Sequence, residues 1–409
     1  KGYAMQQPDH QPISPEAKRP AVGLAEKPLA GIRVIELGQN IAGPYAGEIL
    51  ASLGAQVIKV ERPETGDDAR GWGPPFLNGV ATTFEAMNHG KQSVTVDLQS
   101  EHGIAWLHSL IACSDVFLHN MRPGSLDTMG LGAEVLCARY PKLIYCELGA
   151  FGHHGPMQLR PGYEPMIQAF AGLFSVNGSP EGPSSRVGMQ ILDLGTGVWG
   201  ALGCLLALYH RTNTKQGLIV NASLFETALG WLQVILAAFS VTKKQPERHR
   251  SGNPKVVVFQ AFDTLDGEIV VAAANDRLFA KLVQALGLGH LASDVRFSSN
   301  ASRVAHKDAL IPQLEAVFLS QAASHWEQVL EAVGVPCSPI HDLSQMLAQA
   351  QTKALNIIEP VKDSGLEIVG LPLSLNRVRP AVGMRSPQLG EHNQLIDNLL
   401  QSIVQGARP

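Results

Sequence analysis

The sequence predicts an α/β protein: a doubly wound, parallel-sheet large domain followed by a smaller α+β domain. Three observations carry that prediction. Strand-like and helix-like segments alternate over residues 32–148. A helix-rich stretch follows, to residue 239. A polar run over 243–250 then leads to two strand-like segments flanking Asp266-Gly267, a hairpin signal. The chain has 409 residues, 45% hydrophobic and 17% charged. At roughly 150 residues per domain, that allows two or three domains and a large core.

The first unit reads strand, helix, strand. Residues 32–37 are a β-branched apolar run, 38–44 a glycine-rich turn, 45–52 a helix stopped by Gly54, and 56–60 a second strand. Such a βαβ crossover requires a parallel pair. The alternation continues with strand 93–98, helix 101–113, strand 115–119, helix 133–140 and strand 143–148. Helices are predicted over 163–173, 194–211 and 224–239, with a short strand at 218–222. In the smaller domain the strands are 256–262 and 268–273, and the helices 276–286, 307–320 and 323–333. A helix over 343–350 and a strand-like run over 366–373 come last. The expected boundaries are a flexible arm at 1–27, the large domain at 28–242, a linker at 243–251, the small domain at 252–345, and a segment at 346–409 that returns to the large domain.

Charge and composition exclude several functions. Lys and Arg number 32 against 36 Asp and Glu, so no broad basic field awaits a nucleic-acid backbone. No run approaches the roughly 18 consecutive apolar residues of a membrane span, so no membrane partner is expected. The cysteines are Cys113, Cys137, Cys146, Cys204 and Cys337, an odd number without C-x-x-C spacing. They read as free thiols of a cytoplasmic protein. His153 and His154 are adjacent and point different ways, with no acid or cysteine nearby to complete a ligand set, so no metal is expected.

The turn after the first strand carries Gly38, Gly43 and Gly47, which is not G-x-G-x-x-G. Glu61 does end the second strand, where an acidic ribose ligand would sit, but a strand-end charge accounts for it as well. The turn still offers free N–H groups to a phosphate-bearing ligand. Asp193 directly precedes an apolar helix, where the ordinary role is an N-cap. The free N–H groups and macrodipole there would also keep a carboxylate ionised, and an ionised carboxylate can be a covalent nucleophile.

Several segments together resemble one family, the class III CoA-transferases, over residues 28–400. They are Pro28-Leu-Ala-Gly-Ile-Arg-Val, Ala42-Gly-Pro, Leu53-Gly-Ala-Gln-Val-Ile-Lys-Val-Glu-Arg, Gly66-Asp67, Asn120 with Pro123-Gly124, Met129-Gly130 and Asp193-Leu-Gly-Thr-Gly. The resemblance places the family's catalytic aspartate on Asp193 and implies a Rossmann-like large domain in an interlocked homodimer. It implies an acyl-CoA and a small carboxylic acid as substrates, with no tightly bound cofactor. Asp193 would attack the thioester, and CoA would pass through an aspartyl-CoA thioester to the acceptor. Glu164 would position a carboxylate or a water. Gly195 and Gly197 would allow close approach and supply N–H groups to the oxyanion.

The family's CoA contacts fall on Ile41, Ala42, Arg62, Val96, Asp97, Leu98, Gln99, Asn120, Met121, Arg122, Arg160, Pro161, Gly162 and Tyr163. A basic residue common in the family is replaced by Thr128, and no glycine loop follows near Val256, which argues against oxalate as acceptor. Gly66-Asp-Asp68 and Gly71-Trp-Gly-Pro-Pro-Phe76 look closest to enzymes of succinate and glutarate. The 2-methylacyl-CoA racemases share the fold but carry a histidine where this chain has Tyr163, a poor base at neutral pH. A nucleotide-binding oxidoreductase and a catalytically silent CoA-binding protein are the readings from other classes.

Overall fold

The computed structural model describes residues 27–405, so the expected arm lies outside the described residues except for Lys27. The protein is α/β. Its described residues divide into two compact units, one formed by 27–40, 44–118 and 357–405, the other by 41–43 and 119–356.

The first unit is built on β1 (Arg33–Leu37), α1 (Ala42–Ser52), β2 (Gln56–Glu61), α2 (Thr82–Asn88), β3 (Gln92–Thr95), α3 (Glu101–Ala112) and β4 (Val116–His119). The strands lie in the order β3-β2-β1-β4. Both β1–β2 and β2–β3 are parallel, with Glu36 opposite Lys59 and Val60 opposite Val94. The order reverses at β1, so the turn after β1 opens where such sheets bind ligands. Strand β3 ends before Val96, earlier than predicted, because residues 97–100 turn into α3. Ser100 caps that helix by accepting the Gly103 N–H at 3.0 Å.

Apolar runs form these strands, yet their interior holds charge. Lys59 lies 3.0 Å from Glu36 and 2.9 Å from Asp67, and Lys91 lies 2.6 Å from Glu36. All four side chains are buried. Gly47 makes room for the cluster, since a Cβ there would stand 1.9 Å from Oε2 of Glu36. Glu61 is occupied as well. It takes Nε and Nη2 of Arg70 at 2.8 and 2.7 Å, the Ser93 hydroxyl at 2.6 Å and the Asp67 N–H at 3.0 Å. It is a structural carboxylate and has no acceptor to spare for a ribose.

The second unit contains α4 (Ala133–Arg139), β5 (Ile144–Gly149), α5 (Glu164–Phe170), α6 (Ile191–Thr214), β6 (Ile219–Ser223), α7 (Leu224–Trp231) and α8 (Gln233–Thr242). Strands β5 and β6 pair in parallel. The predicted helix over 224–239 is two helices, α7 and α8, bent by 65° at Leu232. Helix α6 begins three residues before its predicted start. By length and composition it could cross a bilayer, a property the sequence reading missed by counting only unbroken apolar runs. It is a core helix on one side, where Leu192, Gly195, Thr196, Gly200, Cys204 and Ala207 are buried.

Later in this unit come β7 (Phe259–Asp263), β8 (Glu268–Ala272), α9 (Asp276–Ala285), α10 (Lys307–Phe318), α11 (Ala323–Ala332) and β9 (Cys337–Pro339). The three strands form an antiparallel sheet, and the β7–β8 hairpin turns at Asp266-Gly267 as predicted. Its helices enclose a core with Phe262 stacked on Phe318. Arg303 is fully buried there, bonded to the carbonyls of Val257 and Phe297 and paired with Asp276 at 2.8 Å.

Candidate active site

In the second unit, α5 and α6 bring two carboxylates together. Pro165 in the first turn of α5 fits its missing N–H to a helix start. Glu164 begins the helix and is buried, while Tyr163 before it is exposed. One turn on, Gln168 donates to Oε1 of Glu164 at 2.6 Å. The same oxygen accepts the N–H of Leu192 at 3.5 Å, in the first turn of α6. Asp193 is the next residue.

Asp193 is not an N-cap. The capping position is Gln190, which makes no side-chain cap bond, and Asp193 stands inside the first turn. Nor does the helix start keep it readily ionised. Burial, with the charge of Glu164 added, pushes its carboxyl up to about 7. The macrodipole favours the anion by a few tenths to about 1 kcal/mol, which the loss of water outweighs here. A carboxylate this poorly solvated is a stronger nucleophile once ionised.

Gly195 and Gly197 lie in the interior of α6, where helix geometry turns each N–H toward the carbonyl four residues back. The close approach at Gly195 is to protein: a Cβ there would meet Thr227 Cγ2 at 2.8 Å and Trp231 Cζ2 at 2.9 Å. Thr227 donates to the Ser223 carbonyl and so accepts from Thr196, at 2.8 Å. These contacts seat α6 on α7 and fix the turn that carries Asp193. In that turn the Leu192 N–H is taken by Glu164, which leaves the Asp193 N–H to meet an oxyanion.

Around this pair lies an apolar cluster of Ala42, Ala150, Phe151, Ile167, Leu173, Leu192 and Leu224. Ile41 and Ala42 are buried. Gly162 lets the loop lie against Ile167 and Ala150, and Arg160 reaches over the Phe151 ring at 5.9 Å. So the unit gathers Ala42, Arg160, Gly162, Tyr163, Glu164 and Asp193 around one cluster. Asn120, Met121 and Arg122 follow β4, and Arg122 is exposed. His153 and His154 are exposed with ring centroids 3.9 Å apart, and no metal-binding group exists among the described residues.

The other expected contacts belong to the first unit. Arg62 is half exposed, donates to the Gly66 carbonyl at 3.0 Å and pairs with Asp68. Val96 is buried, whereas Asp97 and Gln99 are exposed in the turn before α3, where Asp97 accepts the Gln99 N–H at 2.9 Å. Sequence reasoning missed Gln168, Leu192, Thr227 and Trp231. Only Gln168 had a signal, its four-residue spacing from Glu164.

The pattern that defines CoA-transferase family III matches residues 29–393. The chain belongs to that family. A mouse succinyl-CoA:glutarate CoA-transferase is 33% identical over 90% of this chain and 86% of its own. An acetyl-CoA:oxalate CoA-transferase of Acetobacter aceti is 35% identical over 85% of this chain and 89% of its own. The crystal structure of a CAIB/BAIF family protein from Brucella suis superposes with a TM-score of 0.83 at 36% identity, covering 92% of this chain and all of that one. As a family III CoA-transferase, the protein is an enzyme that transfers coenzyme A.

Proposed function

We propose that the enzyme takes coenzyme A from succinyl-CoA, or a similar dicarboxylyl-CoA, and passes it to a carboxylic acid through covalent intermediates on Asp193. One observation carries the mechanism: a poorly solvated carboxylate in the first turn of α6, beside a second, hydrogen-bonded carboxylate. The name of the mouse relative supports the substrate class.

In the first step an Asp193 oxygen attacks the thioester carbonyl and the C–S bond breaks, giving a mixed anhydride and CoA thiolate. The thiolate then attacks the aspartyl carbonyl, releasing the donor acid and leaving an aspartyl-CoA thioester. The acceptor carboxylate repeats the sequence in reverse, and Asp193 is regenerated. One thioester is traded for another. Two hydrogen bonds on Oε1 fix the Glu164 carboxylate in place, which suits it to orient a reacting carboxylate or water. The Asp193 N–H, in the first turn of α6, faces the tetrahedral oxyanion.

By the family resemblance, Arg62, Val96, Asp97, Leu98, Gln99, Asn120, Met121, Arg122, Arg160, Pro161, Gly162 and Tyr163 are the proposed CoA contacts, and the frame that carries them is proposed to be Rossmann-like. The protein is also proposed to act as a cytoplasmic homodimer. Helix α6 supports the dimer, because Trp199, Leu202, Leu206 and Tyr209 form an exposed stripe at helical spacing. Sedimentation equilibrium should give twice the monomer mass.

The test of function is acyl exchange by purified protein with succinyl-CoA and glutarate, oxalate, malate or other acids. Quenching with hydroxylamine should leave an aspartyl hydroxamate on the peptide containing Asp193. Exchange without any adduct at Asp193 would overturn the covalent mechanism, and absence of exchange with every acid would overturn the substrate class.

A further inference from the structure

Gln168 has no part in the steps above, yet it is fully buried and its carboxamide has a fixed sense. The Val187 N–H donates to its Oε1 at 2.9 Å, and its Nε2 donates to the Val187 carbonyl at 3.3 Å. Pairing with both backbone groups of one residue settles which end of the amide is oxygen. Its nitrogen therefore also faces Oε1 of Glu164, at 2.6 Å. That oxygen in turn accepts the N–H of Leu192, the residue before Asp193. A short chain of contacts thus runs from the Val187 backbone through Gln168 and Glu164 to the first turn of α6.

We propose that Gln168 is a positioning residue for the nucleophile: its carboxamide, anchored on the Val187 backbone, holds the Glu164 carboxylate beside Asp193. The inference rests on the reading of Asp193 as nucleophile. The elements packed on α6 are α5, β5, β6 and α7. They present Glu164 from α5, Tyr145, Cys146 and Glu147 from β5, and Glu226 from α7, while β6 carries no titratable side chain. Of these, Glu164 is the group whose charge acts on Asp193, after burial itself. Glu226 is bonded instead to the Ser223 hydroxyl at 2.7 Å. Loss of the Gln168 donor frees Glu164 to turn away, which removes negative charge from beside Asp193 and makes it easier to ionise.

The test combines substitution with a titration that does not depend on turnover. Full-length protein is labelled with aspartate enriched in ¹³C at the side-chain carboxyl, and the Asp193 signal is identified by its absence from Asp193→Asn. In Gln168→Met, which keeps side-chain length but cannot donate, the Asp193 midpoint should fall by about one pH unit. The acid limb of CoA transfer should move down with it. In a Glu164→Gln background the same substitution should leave the midpoint unmoved, which a general loosening of the fold would not do. If Gln168→Met fails to fold, Gln168→Leu is read the same way. An unshifted midpoint in a folded variant, or an equal shift in the Glu164→Gln background, overturns the proposal. A shifted midpoint in a protein that transfers no CoA upholds the role of Gln168 and overturns the functional reading instead.

Discussion

The Lys59 ammonium lies 2.9 Å from the Asp67 carboxylate, with neither side chain more than 1% exposed. The same nitrogen donates to the Gly38 carbonyl at 2.7 Å, and Oδ1 of Asp67 accepts the N–H groups of Asn40 at 3.0 Å and Ala69 at 2.9 Å. One buried cation therefore ties the turn after β1 to the loop in which Arg62 bonds the Gly66 carbonyl. Burial alone would lower the Lys59 pKa, but Glu36, Asp67 and Glu61 outweigh it and hold the ammonium above its usual range. The stabilisation is a matter of balance: two desolvated anions need this cation.

Lys59→Met should accordingly destabilise the protein by about 3–5 kcal/mol, because it leaves Asp67 buried without its counter-charge. Adding Asp67→Asn should recover part of the loss, a coupling that a double-mutant cycle in urea would read directly. Simple additivity of the two substitutions would show that the pair contributes nothing jointly.

Gly195→Ala should cost about 1–3 kcal/mol by overpacking, since the new methyl would meet Thr227 and Trp231 inside 3.0 Å. The loss should show as a lower Tm at every pH. A further Trp231→Leu should relieve it. If Gly195→Ala melted like the wild type, the seat of α6 on α7 would be looser than described.

Much of the fold was legible because β-branched runs and helix stops are local. Strands β1, β2, β4 and β5 and helices α3 and α4 lie within a residue or two of their expected bounds. The break between α7 and α8 was not legible, since the apolar pattern runs on through Leu232 while the backbone bends. Short β9 carries a proline and forms only by pairing with β8. The Asn393–Val404 helix was missed altogether. Within the site, Asp193 and Glu164 were visible through the family pattern. The Glu36–Lys59 pair was not, because facing charges emerge only once two strands adopt a register. The titration of Asp193 was misjudged because a helix start can be read from sequence, whereas burial depends on distant packing.

Arg62→Ala should raise KM for the CoA ester and leave the Tm nearly unchanged. The guanidinium is half exposed, and the pair it makes with Asp68 at the surface adds little stability. A charge-assisted bond to phosphate is worth about 1.5–3 kcal/mol, or roughly a tenfold to hundredfold change in affinity. Asp68→Asn should lower KM modestly by freeing Arg62. An unchanged KM in Arg62→Ala would remove this residue from the CoA site.

Asp193 should set activity and stability against each other as pH changes. Its carboxyl is raised from the ordinary 3.8 to about 7 by burial and by Glu164, and only the ionised form attacks. So kcat/KM should rise with pH through about 7 and level off above it. Stability runs the other way. Between those two values the folded state holds a proton that the unfolded chain has lost, so this group's contribution falls as pH rises and is fully unfavourable above about 7. Asp193→Asn cannot ionise and escapes that penalty. It should match the wild type near pH 4 and exceed it at pH 8 by about 1–2 kcal/mol, once the partial exposure of the site is allowed for. The same variant should lose acyl exchange by several orders of magnitude, because a neutral amide forms neither the anhydride nor the thioester. Urea titrations at the two pH values, beside pH–rate profiles, measure both halves. A variant no more stable than wild type at pH 8 would show that Asp193 ionises without strain. Near-normal turnover in that variant would remove it from the chemistry.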